Sequence, residues 1–348
     1  MRFYNNSHPY YCGIDLHARM LYVCIIDQQG VKQVHQKIKA TPEELYLLLQ
    51  PYLGNVIVGV ECMHCWYWVS DWCEDLNIDF VLGHALYMKA IHGGKAKNDK
   101  IDSYKIAKLL RGGNFPLAYQ YPRAMRATRD LLRRRTRLVR YCGELKAHVK
   151  NTASQYNLPD LNRLNLRYET NRDPVRSLFP DTMVQASVDL DLDLVTFFDK
   201  ELNKVEWKLK KQAQTCNSKE FNLLKTVPGI GDILAMTILY EIGDVSRFPS
   251  VQKFASYCRL VKCKAESAGK TYGTQGNKIG NAHLKWAFSE AAVLYLRGNE
   301  KAQRYLQKLQ RRMPKSKALS VLAHKIGRAV FFMLKTGTVF DDARFING

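Results

Sequence analysis

The sequence predicts a mixed α/β head followed by a mostly helical body, and three observations predict it. Within the first hundred or so residues, short β-branched runs alternate with stretches of helical periodicity. Beyond residue 122 the apolar spacing changes to alternating threes and fours, the signature of long helices. Charge divides at the same place. Residues 1–121 hold 12 basic and 11 acidic side chains, leaving 41 and 21 for the remainder of a chain whose net charge is +21. An almost neutral head and a basic body suit a catalytic module joined to elements that grip a polyanion.

The elements of the head follow in order. Tyr10 to Asp15 and Leu21 to Ile26 are short apolar runs that read as strands. Gln29-Gly30 supplies a turn, and Val31 to Ile38 alternates with period two through Val34, Gln36 and Ile38. Thr41-Pro42-Glu43-Glu44 starts a helix, with Thr41 as cap, Pro42 at the first position and Glu44 closing a capping box. Asn55 to Val60 is a β-branched strand that ends at Glu61. A Trp-rich helix follows (Trp66, Trp68, Trp72), then a strand from Ile78 to Leu82. Gly93-Gly94 breaks the chain before a helix from Asp99 to Leu110. Three antiparallel strands followed by alternating helices and strands is the order of the ribonuclease H-like fold.

That order gives four carboxylates a common address. Asp15 and Glu61 end apolar strands, and Asp99 and Asp102, three apart, share one face of a helix. Each alone has an ordinary explanation, a helix cap for Asp99 and a turn for Asp15. Gathered together they repel one another and call for a cation, and hard oxygen donors suit Mg²⁺ or Mn²⁺, the ions of phosphoryl transfer.

The body reads as two parts. In residues 122–219, the stretch from Pro122 to Lys150 carries ten Lys/Arg and two acidic residues, including Arg133-Arg134-Arg135, a candidate phosphate-binding run. Leu131, Leu138, Cys142, Leu145 and Val149 form one heptad-like seam; Val195, Phe198, Leu202, Val205 and Leu209 form another. An intramolecular hairpin and an intermolecular coiled coil both satisfy them. Asn157 to Pro180, with its Pro and Asn breakers, reads as loop.

In residues 220–348, Val227-Pro228-Gly229-Ile230-Gly231 between two apolar helical stretches is a helix-hairpin-helix signature. Gly229 and Gly231 there would let backbone N–H groups approach a phosphate; an ordinary interhelical turn is the alternative. Ala265 to Asn281 reads as a long polar, Gly-rich loop carrying Ser267, Lys270 and Lys278; it lacks the spacing of a nucleotide-binding P-loop. Arg311-Arg312-Met313-Pro314-Lys315 adds a basic patch.

Composition sets further bounds. No apolar run is long enough to span a membrane, and Met1 to Asn6 lacks the apolar core of a signal peptide, so a cytoplasmic protein without a membrane partner is expected. Nine cysteines, several in apolar patterns (Cys12, Cys24, Cys73), read as reduced core thiols. Cys62-Met63-His64-Cys65 has metal-ligand spacing but no second closely spaced pair, which favours packing over zinc.

These pieces resemble a family. Cys12-Gly13-Ile14-Asp15-Leu16-His17 is similar to the Gly-Ile-Asp-Val-His opening of the DEDD transposases of the insertion-sequence "one-ten" family and the related Piv-type DNA invertases. Lys97-Asn98-Asp99-Lys100-Ile101-Asp102-Ser103 resembles their Lys-Thr-Asp-x-x-Asp-Ala, and Lys278-Ile279-Gly280-Asn281 their Lys-x-Gly-Asn after a Ser-Gly-rich loop. The chain departs from the pattern after Glu61, at Asn277, where serine is usual, and at Ala268, where glycine is usual.

The resemblance implies a recombinase of three parts: a RuvC-like catalytic domain (1–121), a coiled-coil linker (122–219) and a C-terminal transposase domain (220–348) carrying the nucleophile Ser267. It also implies donor and target DNA as substrates, with action at the nucleoid, a noncoding bridge RNA as guide, and a homo-oligomer, dimer or tetramer, with composite active sites. Ser267 would attack DNA with metal assistance from Asp15, Glu61, Asp99 and Asp102, leaving a phosphoserine link. The alternative is a RuvC-type endonuclease in which metal-activated water attacks and Ser267 is only loop.

Overall fold

The computed structural model describes residues 2–92, 98–158, 161, 164–275 and 279–347. The chain forms two compact units, Met1–Arg123 and Ala124–Gly348. The glycine pair at 93 and 94 lies outside the described residues.

The first unit is built on a five-stranded sheet. Its strands are β2 (Tyr10–Leu16), β3 (Met20–Asp27), β4 (Lys32–Lys39), β5 (Val56–Glu61) and β6 (Asp79–Gly83), in the spatial order β4-β3-β2-β5-β6. β2, β3 and β4 pair antiparallel, whereas β5 and β6 add in parallel to β2 and to each other. A short edge pair, β1 (Phe3–Tyr4) with β7 (Phe115–Pro116), closes the unit. Among the described residues, four α-helices cover the faces: α1 (Pro42–Leu49), α2 (Trp66–Asp75), α3 (Ala85–His92) and α4 (Asp99–Arg111). The helix α3 is an addition to the expected elements. Thr41 caps α1 as its sequence implies, accepting the Glu44 N–H at 3.4 Å.

Alternation along the strands sorts the two faces. Cys12, Ile14 and Leu16 of β2 join Val56, Val58 and Val60 of β5 in a core with Leu45 and Leu49 of α1 and Trp66 and Val69 of α2. Tyr11 and Ile57 turn the other way, to Ile106, Ala107 and Leu110 of α4. Gly13 and Gly59 share that second face, and both are needed there. A Cβ at Gly13 would fall 2.3 Å from the Ser103 carbonyl oxygen, and one at Gly59 would fall 2.7 Å from Leu110 Cδ1. Their bare backbones let α4 lie directly on the sheet. Cys12, Cys24 and Cys73 are free thiols in this interior, and burial raises all three, Cys24 to about 11 and Cys73 to about 12.

In the second unit, α5 (Arg123–Gln155) and α7 (Thr182–Cys216) run antiparallel. Contacts of Arg135 with Glu206, Tyr141 with Phe198 and His148 with Asp191 mark their pairing within one chain. Val195, Leu202 and Leu209 of the expected α7 seam are buried, as are Cys142 and Val149 of the α5 seam. The segment expected as loop from Asn157 to Pro180 instead contains α6 (Asp173–Arg176) and a small core of its own. Leu166, Val175 and Phe179 pack there on Val149, Val188 and Leu192. Arg172, 2% exposed, ties it by donating to the Leu166 carbonyl at 2.9 Å and Thr196 Oγ1 at 2.9 Å, and by pairing with Asp199. Sequence patterning missed this because the core residues Leu166, Val175 and Phe179 follow no regular period, and the guanidinium that braces them finds its partners only in the folded chain.

The rest of this unit comprises α8 (Ser218–Lys225), α9 (Asp232–Ile242), α10 (Val251–Tyr257), a hairpin of β8 (Cys263–Ser267) and β9 (Lys270–Gln275), α11 (Ala282–Tyr295), α12 (Glu300–Gln310), α13 (Lys315–Thr336) and α14 (Asp342–Asn347). Phe221, Leu224, Ile238, Phe254, Phe288, Leu322 and Phe331 form its core. No described helix is long and apolar enough to cross a membrane.

Candidate active site

The expected carboxylates converge on one end of the sheet. Asp15 follows Gly13 by two residues, so it faces α4. Register pairs Ile14 with Val60, which sets Asp15 and Glu61 at matching ends of neighbouring parallel strands, where ligands gather. The Gly13 contact brings in the first turn of α4, with Asp99 and Asp102. Asn98 caps that turn by accepting the Lys100 N–H at 2.9 Å, and His35 of β4 reaches across to the Lys100 carbonyl at 2.8 Å.

A histidine stands at the focus. His17 Nε2 lies 3.3 Å from Asp15 Oδ2 and 3.6 Å from Asp99 Oδ1. Among the described residues, Asp15, His17 and Asp99 offer ligand atoms all within 4.8 Å of one another. Asp102 instead meets Lys105 Nζ at 3.4 Å, and Glu61 lies outside the tight trio. The sequence reading left His17 out of the site. The signal was the alternation itself: Asp15 and His17, two apart at a strand end, share a face. Burial raises the Asp15 carboxyl; the charges of Asp99 and Asp102 raise it further, against the opposing pull of His17. Like charges held this close favour a cation among them. Cys62 is exposed, while Cys65 sits with its Sγ 3.7 Å from the Leu16 carbonyl, a packing position beside the site.

Ser267 belongs to the second unit, at the end of β8. The stretch around it, expected as a loop, is a two-residue hairpin in which Ser267 pairs with Lys270. Ala268 (φ 49°) and Gly269 (φ 74°) both have positive φ, as a tight primed turn requires. Ala268 takes a left-handed conformation that glycine adopts without cost, which hid the turn from sequence reasoning. Lys270 is exposed beside it; Lys278 lies outside the described residues.

The expected nucleic-acid contacts separate into two kinds. Arg133 donates to both oxygens of Glu241, at 2.6 and 2.9 Å, and Arg135 donates to Glu206 at 2.8 Å; Arg134 is exposed. Glu241, 3% exposed in its side chain, also takes hydrogen bonds from Arg129 at 3.1 Å and from Asn281 at 2.7 Å. Asn281 further caps α11 by accepting the His283 and Leu284 N–H groups. Gly229 (φ 88°) abuts α11, where a Cβ would lie 2.6 Å from the Tyr295 nitrogen; Gly231, at the cap of α9, faces open space.

Comparison with known proteins finds two profiles of related description. One, described as a transposase of the DEDD type of IS110, matches residues 12–158; the other, described as Transposase IS116/IS110/IS902 family, matches residues 221–307. A curated protein of Streptomyces coelicolor, "Insertion element IS110 uncharacterized 43.6 kDa protein", is 28% identical over 120 residues. That stretch is 34% of this chain and 30% of the relative's length.

Proposed function

The chain belongs to the IS110 family of DEDD transposases, and from that premise we propose that it cuts and rejoins DNA strands by serine attack under metal assistance. The observation that carries the reading is the convergence of Asp15, His17 and Asp99, with Asp102 one helical turn on, at the sheet end that Glu61 shares. The strand order, with three antiparallel strands and two parallel additions, supports a ribonuclease H-type, RuvC-like assignment for residues 1–121.

These donors fit a divalent cation. They are hard and largely anionic, and the Asp15 carboxyl is raised first by burial and then by the charges of Asp99 and Asp102, both of which a bound cation would relieve. Asp15, Glu61, Asp99 and Asp102, with His17 between two of them, would hold Mg²⁺ or Mn²⁺. Bound there, the ion supplies electrostatic stabilisation of charge on a reacting phosphate. Ser267 Oγ forms the bond to phosphorus while the bond to the 3′-oxygen breaks; the serine proton passes to solvent and the leaving oxygen is protonated. A phosphoserine link conserves the ester, so rejoining needs no nucleotide energy. Lys270, exposed two places beyond the turn residue Ala268, offers charge to the phosphate, with Lys278 expected to join it. The Gly231 cap and the exposed Arg134 offer further phosphate grip.

Donor and target DNA, a bridge RNA guide and an oligomer with composite sites complete the proposal by family resemblance. The test is denaturing electrophoresis with labelled DNA and peptide mapping. An adduct mapping to Ser267, lost in Ser267→Ala and partly restored by mixing that variant with Asp15→Asn, is the expected result. Free cut ends with no adduct, and normal cutting by Ser267→Ala, would assign the chain to hydrolytic nucleases.

A further inference from the structure

We propose that the outer face of α7 is a stacking platform for an unpaired nucleic-acid strand, with Phe197 and Trp207 receiving bases and Lys200, Lys204, Lys208 and Lys211 receiving phosphates. The proposal rests on the reading that this chain handles nucleic acid, and it names a surface and a strand form which that reading does not.

The face arises from helical spacing. Phe197, Lys200, Lys204, Trp207 and Lys211 recur at three, four, three and four residues, so they form one stripe along α7. The buried seam of Val195, Leu202 and Leu209 lies on the opposite side. Trp207 is 63% exposed and Phe197 57%, whereas the other four tryptophans are buried or half-buried. Large aromatic rings held in water signal a partner with flat apolar faces. Lys211 Nζ sits 5.4 Å from the Trp207 ring centroid, so a base stacked on the indole brings its phosphate within reach of that ammonium. Lys204 pairs with Glu201 at 2.6 Å on the exposed surface, a pair weak enough for a phosphate to displace.

Charge selects the partner. A second copy docking through the same stripe would set Lys200, Lys204 and Lys211 against their own counterparts, a like-charge seam that opposes association. A polyanion meets no such penalty. Distance suits it as well: ten residues of helix separate the two rings by about 15 Å, close to four stacked nucleotides at about 3.4 Å each. Aromatic rings interleaved with cations form a sequence-tolerant grip for unpaired strands, because every base offers a π-face.

The test compares the full chain with Trp207→Ala and Trp207→Phe, using labelled 15-mers of dT and of U and a duplex of equal length, with binding read by fluorescence anisotropy. Trp207→Ala should weaken at least one single strand about tenfold while duplex affinity stays within about twofold, and Trp207→Phe should retain most of the affinity. The dT and U arms distinguish displaced DNA from RNA as the strand. Equal losses on single strands and duplex, or no loss, would overturn the platform while leaving the transposase reading intact. Wild-type protein that binds none of the three would overturn both. A lower oligomeric mass for Trp207→Ala by light scattering, at unchanged strand affinity, would assign the stripe to self-association and overturn the proposal.

Discussion

Gly13 of β2 and Ser103 of α4 touch backbone to backbone: a Cβ on Gly13 would lie 2.3 Å from the Ser103 carbonyl oxygen and 2.4 Å from the Ala107 nitrogen. That contact sets how near the first turn of α4 comes to the end of β2, and so whether Asp99 and Asp102 can share a charge with Asp15. Gly13→Ala should force the helix away. Overpacking of this kind costs about 1–3 kcal/mol, and cleavage should fall more than DNA binding. Thermal unfolding together with a metal titration of cleavage checks this; an unchanged metal requirement would detach the site from the glycine.

Asp15→Asn and Asp102→Asn should abolish strand cleavage while nucleic-acid binding persists, because each removes a charge from the cation site and none from the basic body. His17→Ala should raise the metal concentration needed for half-maximal cleavage, since it removes a donor within reach of both Asp15 and Asp99. Cleavage assays across a Mg²⁺ series, with excess chelator as control, read both effects. Full activity of either asparagine variant would refute the assignment.

Arg133 and Arg134 should separate stability from grip. Arg133→Gln strips two hydrogen bonds from a buried carboxylate and should lower the unfolding temperature. Arg134→Gln should leave stability alone and reduce the slope of log affinity against log salt by about 1. Parallel melting curves and salt titrations decide the matter. A reversed pattern would mean that Arg133 faces nucleic acid.

Acid should weaken the second unit through Glu241. Burial would raise its carboxyl, but the Arg133 hydrogen bond, the charges of Arg129 and Arg133 and the Asn281 amide more than offset this, so it ionises below the ordinary glutamate value. The unfolded chain therefore binds more protons in that window. The stability Glu241 contributes is complete above the unfolded pKa of about 4.3 and is lost as pH falls through the folded value. Glu241→Gln should cost about 3 kcal/mol at pH 7, and its gap from the wild type should narrow on acidification below about pH 5. A gap constant with pH in thermal melts would show that the carboxylate charge is not what holds α5, α9 and the cap of α11 together.

Much of this protein was fixed locally, and the physical reason is periodicity. Strands β2 to β6 and the start of α4 follow from apolar alternation, β-branched runs and caps such as Thr41 and Asn98, which act within a few residues. The address of Asp15, Glu61, Asp99 and Asp102 follows as well, because strand ends and helix starts are where those local patterns stop. Tertiary structure decided what depends on distant partners. It placed His17 between Asp15 and Asp99, committed Arg133 to a glutamate 108 residues away, made Gly229 a packing glycine against α11, and gathered Leu166, Val175 and Phe179 into a small core braced by the buried Arg172. It also turned the Ser267 stretch into a hairpin through positive φ at Ala268, a conformation that alanine does not advertise. A side chain's type sets what it can bind, but only the closing of the chain determines which partner lies within three ångströms of it.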